Sequence, residues 1–285
     1  DFESRNWGLV IGARDFVARD SLPFIPETVP EAVTAWVKKA VVSGNAGETG
    51  ILVHGALDRR QPKNEKIYSV STEAKGVALN FDERWPNLFE VTGPIHINNR
   101  GVTAKGLSGQ LFDAQFADGT VTAFNPSWLK AADHIEVSAN FEGVVSDLLD
   151  VLNTKPVVDA VNGFADDWDG SGKVSGDLAL TVPLGPSGAS ISVRTKGTIQ
   201  EATLHMQDFD LALTHLTSDF QYSSDGGLTA SNAQFRMLGE SVAAVISSEA
   251  AGAGGVTSVD MRGMVNLSAL QGWLNLSVLN FAEGS

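Results

Sequence analysis

Gly172–Leu184 reads GKVSGDLALTVPL, and Val174, Leu178, Leu180, Val182 and Leu184 all fall on one set of alternate positions, with Ser175, Asp177, Ala179 and Thr181 on the other. Alternation of this kind places one apolar and one wet face on an extended strand. Val77–Phe81 (VALNF) and Ile135–Phe141 (IEVSANF) carry the same pattern. Further strand-like runs are Trp7–Val17, Ile51–Leu57, Ile95–Asn98, Val102–Lys105, Leu111–Phe116 and Val121–Phe124. The series resumes with Ile191–Arg194, Thr198–Met206, Phe209–Leu213, Phe220–Tyr222, Ala233–Leu238, Val242–Ser247 and Val256–Leu267. Asn98-Asn99-Arg100-Gly101 and Asp118-Gly119 read as turns between neighbours, so the runs are expected to pair as consecutive antiparallel hairpins.

Three segments break the period of two. Pro23, Pro26 and Pro30 exclude a regular element in the connection after the first strand. From Pro30, Val33, Trp36, Val37, Ala40 and Val41 form an i, i+3, i+4, i+7, i+8 stripe that predicts an amphipathic helix ending near Gly44, with Lys38 and Lys39 toward its C-terminal end. A second helical island spans 143–164, where Val144, Leu148, Leu149 and Leu152 precede Pro156, which divides it. Leu267, Leu270, Trp273 and Leu274 predict a short helix at the end. No fixed-length sequence repeat and no convincing internal boundary stand out, so residues 1–285 are read as one continuous segment with helical insertions near 30–43 and 143–164. Pro183, closing the Gly172–Leu184 strand, suggests an edge or rim position.

Composition narrows the function. Of the 285 residues, 43% are hydrophobic and 19% charged, a balance that supports a packed fold. The net charge of −14 disfavours nucleic acid or an anionic membrane face as an electrostatic partner. The absence of cysteine removes disulfides, thiolate metal sites and thiol nucleophiles, and fits a periplasmic or a cytosolic protein equally. The chain opens at Asp1 with no basic and apolar leader, and no apolar run approaches the roughly 20 residues that span a bilayer. It therefore reads as a piece of a longer protein whose anchor lies outside it.

No motif supplies chemistry. Asp167, Asp169, Ser171 and Gly172 match the first positions of a calcium loop, but position 12 is Leu178 where a bidentate Glu is needed, so an acidic turn before a strand is the better account. His54, His96, His134, His205 and His215 are scattered without metal-site spacing. There is no GxSxG elbow, no P-loop lysine after the glycines of 250–255, and no carboxylate pair that stands out for glycoside hydrolysis. Trp36, Trp85, Trp128, Trp168 and Trp273 do not cluster in one segment and read as packing residues. No cofactor, no metal and no enzymatic activity are expected. What remains is a long one-sided apolar surface that something must cover.

Several elements in order resemble the AsmA-like family of Gram-negative envelope proteins, and within it the YhdP-like members. Val29-Pro30-Glu31-Ala32-Val33-Thr34-Ala35-Trp36-Val37 is similar to that family's P-x-x-L-V-x-W/Y-L helix, and Phe81 with Trp85-Pro86-Asn87-Leu88 to its aromatic W-P-x-L element. Gly172–Leu184 resembles its G-x-x-x-L-x-L-x-I-P-L strand, and Phe220-Gln221-Tyr222 with Asp225-Gly226-Gly227-Leu228 and Leu238-Gly239 its closing motif. Asp58–Lys66 departs from the pattern, being basic where family members carry an aromatic F-P-Y/F. The likeness runs from about Phe24 to Val245.

The resemblance implies a mainly β fold, an elongated twisted antiparallel groove or open half-barrel with a few short amphipathic helices. It implies a periplasmic protein anchored in the inner membrane through a segment absent from this chain, which conducts phospholipid toward the outer membrane and its components. A groove of apolar strands can hold lipid without specific chemistry, since each buried methylene contributes about 0.8 kcal/mol. The residues expected to line it are Val77, Leu79 and Phe81, then Ile95, Ile97, Phe112 and Phe116. Ile135, Val137 and Phe141 follow, then Leu178, Leu180 and Val182, and finally Leu211, Leu213 and Phe220. Two rivals stand beside this reading: a structural module with a protein-filled core, in the manner of TamB-like assembly proteins, and a hydrolase on a β scaffold.

Overall fold

The structure is a computed structural model and describes residues 6–20, 31–56, 67–81, 83, 85–124, 134–154, 165, 167–183, 191–248 and 257–274. It is mostly β: one antiparallel sheet that does not close, with a few short helices. The first strands are β1 (Asn6–Ala13), β2 (Phe16–Val17) and β3 (Val41–Ala56), with helix α1 (Glu31–Ala40) leading into the last of these. There follow β4 (Ile67–Leu79), β5 (Leu88–Asn98), β6 (Gly101–Leu111), β7 (Ala114–Phe124) and β8 (His134–Val144). Helix α2 (Val145–Leu152) precedes β9 (Trp168–Pro183), β10 (Ser192–Met206), β11 (Leu211–Ser223), β12 (Gly227–Met237), β13 (Glu240–Ser248) and β14 (Thr257–Gly263). Helix α3 (Leu267–Leu274) follows. In the sheet β1 lies beside β3, and from β3 onward each strand neighbours the next in chain order as far as β14; β2 pairs with β3. No helix among the described residues is long and apolar enough to cross a membrane.

Most strands are longer than their alternation suggests, because a bulge changes the side-chain phase partway along. Glu90, Asp118, Glu201 and His215 adopt left-handed backbone conformations inside strands, as do Gly76 and Gly106. Each of the four charged or polar residues is exposed, and each of the six is followed by a buried one: Val77, Val91, Leu107, Gly119, Ala202 and Leu216. A bulge of this kind inserts one extra residue, bends the strand and reverses which positions face inward. Aligned on neighbouring strands, the bulges form a crease, and the buried residues meet along it: Val77 opposite Val91, Leu107 opposite Gly119, Ala202 opposite Leu216.

The bulges explain where the sequence-based boundaries fail. Asp118-Gly119 is not a turn but part of β7, whereas Phe112-Asp113, within the run Leu111–Phe116, is the two-residue turn between β6 and β7. Phe209–Leu213 and Phe220–Tyr222 contribute to one strand, β11, interrupted in phase at His215. The predicted first helix stops at Ala40, and Val41 begins β3. Of the second helical island, α2 lies in its first half and residues 155–164 fall outside the described residues. Asp169–Gly172 belong to β9 and do not form a turn ahead of it. Pro183 is the last residue of β9, which is flanked by β8 and β10 and so is not an edge strand. Asp58–Lys66 and Trp128 lie outside the described residues.

Contacts gather the chain into two units, residues 1–141 with 177–193, and residues 142–176 with 194–285. Each contains a helix that precedes the start of a 16-residue strand, β3 in the first and β9 in the second, although residues 177–183 of β9 belong to the first unit. In the first unit Asn80 N–H donates to the Ala40 carbonyl (2.8 Å), and in the second Gln207 N–H donates to that of Asp167 (3.3 Å), tying the start of each long strand to the end of the next. Near the start of each long strand stands a left-handed glycine, Gly44 (φ 108°) or Gly172 (φ 104°), pressed against the crease. A Cβ on Gly44 would lie 2.5 Å from the Val77 Cα, and one on Gly172 2.4 Å from the Ala202 Cα.

Replacing Gly44 or Gly172 by Ala is therefore expected to cost about 1–3 kcal/mol through combined backbone strain and steric displacement. Gly12→Ala, where a Cβ meets nothing within 4 Å, should change stability by less than about 0.5 kcal/mol. Denaturant unfolding monitored by tryptophan fluorescence distinguishes them.

Candidate functional site

In the first unit, strand register sorts side chains into rows that run across the sheet. One row joins Ile11, Ile51, Val70, Ile97, Val102 and Ala123 on β1, β3, β4, β5, β6 and β7. Another, two residues along, joins Ala13, Thr49, Thr72, Ile95, Ala104 and Val121. Leu9, Val53 and Tyr68 extend the same face. The face is apolar yet poorly sequestered: Leu9 and Ile11 are each 44% exposed, and Ile51, Val70, Ile95, Ile97 and Val102 are half-buried. Toward the crease it passes into a tighter cluster of Ala74, Val77 and Val91, packed by Val41, Leu79, Leu88, Ile95 and Phe116. Four of the expected lining residues, Val77, Leu79, Ile95 and Phe116, thus come together, and Ile97 stands on the same face.

The row between them points the other way and is polar: Gly12, Gly50, Ser71, His96, Thr103 and Thr122. A hollow of about 1040 Å³ is bordered by residues of this row, by Arg14, Glu48, Glu73 and Lys105, and by Ala13, Thr49, Thr72 and Ile95 of the neighbouring row. Ser71 Oγ and His96 Nδ1 are 2.9 Å apart within it. Lys75 beside the hollow donates to Asp15 Oδ1 at 3.0 Å, and this hydrogen bond and charge hold its ammonium above the usual lysine range. The side chains bordering the hollow are of both charges, whereas the two apolar rows carry no charged side chain.

The remaining expected residues are distributed as follows. Phe81 lies just past β4, its ring centroid 6.1 Å from that of Trp85. Phe112 occupies the β6–β7 turn at φ 54°. Ile135, Val137 and Phe141 on β8, and Leu178, Leu180 and Val182 on β9, are half-buried and alternate with exposed neighbours, apart from His134 and Pro183. Leu211 and Leu213 are half-buried against protein. In the second unit they pack into a cluster with Ala202, Leu216, Phe235, Met237, Val242 and the α2 residues Val145 and Leu149. Phe220 is buried opposite Gly197, whose missing side chain leaves room for the ring: a Cβ there would lie 2.9 Å from Phe220 Cζ. The residues missed in the sequence, Leu9, Ile51, Val53, Val70 and Val102, lie in runs that were recognised as strands or in the hidden first half of β4. Their register, and hence their shared face, appears only once strands are paired.

Helix α2 is built to sit on this surface. Asp147, itself 4% exposed, accepts the Val144 N–H through Oδ2 at 3.0 Å and closes the first turn. Val145 and Leu149 then project from one side onto β9, where Gly170 has no side chain to obstruct them.

Chemistry beyond burial is sparse. Histidine–carboxylate pairs occur at His215–Glu201 (3.0 Å), His134–Glu136 (3.6 Å) and His205–Asp169 (3.8 Å), all exposed and dispersed. Among the described residues no three metal-ligating side chains converge. Tyr68 and Tyr222, the two tyrosines of the chain, are pushed above the ordinary phenol value of 10.0, because burial disfavours the phenolate.

Among known proteins, the family model described as YhdP protein matches residues 7–285. No curated protein and no solved structure matches the chain.

Two measurements check this arrangement. Leu149→Ala is expected to destabilise the second unit by about 2–5 kcal/mol, the cost of a cavity beneath a buried leucine. Absorbance titration of the folded protein should show neither tyrosine ionising at its ordinary midpoint, and both doing so in denaturant. With folded values raised, the tyrosine contribution to stability is complete below pH 10 and is lost as pH rises further.

Proposed function

Because the chain belongs to the YhdP protein family, whose model spans residues 7–285, we propose that it is a lipid-transfer segment holding phospholipid acyl chains against the apolar face of its sheet. The observation that carries this reading is the row Ile11, Ile51, Val70, Ile97 and Val102, where five strands align branched apolar side chains that stay only partly buried. Acyl chains satisfy such a surface without directional contacts, and many weak methylene contacts allow a chain to slide where a few strong ones would trap it. The head group remains in water beyond the apolar rows. No bond is made or broken. In this reading the protein works in the periplasm, held to the inner membrane by a segment outside this chain, and delivers phospholipid toward the outer membrane.

A second reading, an envelope assembly module with a protein-filled core, is favoured by the second unit, where Phe235, Met237 and Leu216 are buried beneath the chain's own side chains.

Photo-crosslinking separates the two. With p-benzoylphenylalanine at Val70 or Ile97, illumination in membranes should yield adducts with phospholipid. The same probe at Ser71 or His96, on the opposite face, should yield none. Equal labelling of both faces, or adducts with protein alone at Val70, would overturn the lipid reading.

A further inference from the structure

We infer that α2 is a stopper: in the second unit it occupies the place on the apolar face that acyl chains take when lipid is bound, and it must lift from the sheet for lipid to enter. This inference rests on the lipid reading above and adds a gate to it.

Three observations carry it. First, α2 packs into an apolar cluster built from cross-strand rows of the kind that carries no helix in the first unit's described residues. Val145 (3% exposed) and Leu149 (6%) share a cluster with Leu204, Leu211, Leu213 and Met237, which the register places opposite one another as Leu204–Leu213 and Leu213–Met237. Second, the seat is shaped for the helix. At Gly170, near the start of β9, a Cβ would lie 2.8 Å from Val145 Cγ1, 2.9 Å from the Thr203 carbonyl oxygen and 3.5 Å from Leu149 Cδ1, so the strand carries no side chain where the helix docks. Third, the contacts in the cluster are apolar. The one buried carboxylate on the helix, Asp147, turns back to the Val144 N–H of the same segment, and so satisfies itself locally. A seat held by non-directional contacts can be taken over by hydrocarbon, because hydrocarbon replaces leucine and valine methyls with equivalent burial.

The absence of native cysteine makes the gate lockable. In Val145→Cys with Gly170→Cys, the Cβ at 170 would stand 2.8 Å from the Cγ1 position of Val145 that Sγ takes, close to the Cβ-to-Sγ spacing across a disulfide, at the cost of displacing the Thr203 carbonyl that the Cβ would meet at 2.9 Å. The probe is a diazirine-bearing phosphatidylethanolamine added to the purified protein, with labelled peptides identified by mass spectrometry. In the reduced double variant, label is expected on both β4–β5 and β10–β12 peptides. In the oxidised form, label on β10–β12 should fall about tenfold and return with reductant, while β4–β5 labelling is unchanged. Leu149→Ala, which loosens the helix without a cross-link, should raise β10–β12 labelling. Label on β10–β12 that ignores both the lock and Leu149→Ala would refute the stopper and leave the lipid reading intact. No label on β4–β5 in any form would defeat the lipid reading, and the gate with it.

Discussion

The crease of bulges is the constraint on which the rest of the structure depends. A regular strand keeps one set of alternate residues facing inward along its whole length, and a long sheet of such strands twists smoothly. Here one extra residue in a left-handed conformation reverses that phase at Gly76, Glu90, Gly106, Asp118, Glu201 and His215. The residue that follows is driven to the buried side, which brings Val77, Val91, Leu107, Ala202 and Leu216 into the core clusters or beside them. A misplaced bulge on a single strand would turn every later side chain on that strand to the wrong face. The use of Glu, Asp and His at these positions, each exposed, keeps the strained residue in water while its neighbour is buried.

The same feature governs how much of the molecule is legible from its sequence. Long uninterrupted alternation, as in Gly172–Pro183 and Ile135–Phe141, is read correctly as β9 and β8 because no bulge interrupts those stretches. In β4 only Val77–Leu79 is recognised; the first ten residues, from Ile67, alternate weakly and lie on the far side of Gly76. In β7 the dipeptide Asp118-Gly119 carries the composition of a turn and the structure of a bulge, since both need a left-handed residue. The helices are found because their period differs, although Val41 joins the apolar stripe of α1 and the backbone of β3. The chosen lining residues illustrate the limit. Alternation says that Leu213 is apolar and inward-facing, but not that it will pack against a cluster to which α2 contributes, because the partner of an apolar face is decided by residues some sixty positions away.

The two units use one plan differently. Both have a helix, the start of a 16-residue strand and, there, a left-handed glycine against the next strand's crease. In the first unit the rows beyond the crease are Ile and Val, left partly exposed; in the second they meet larger residues, Phe220, Phe235 and Met237, and α2. The repeat lies in backbone geometry and helix placement, which is why no fixed-length sequence period betrays it.

The connectivity of the sheet also has a mechanical consequence. From β4 onward every strand is bonded only to its neighbours in chain order, so stability is close to a sum of nearest-neighbour terms. Under tension applied across an edge, such a meander peels one strand at a time, like an opening seam. The force it resists is that of a single strand pair and does not grow with the number of strands, whereas the length of chain released does. Adding strands to a sheet of this kind increases its reach without increasing its strength.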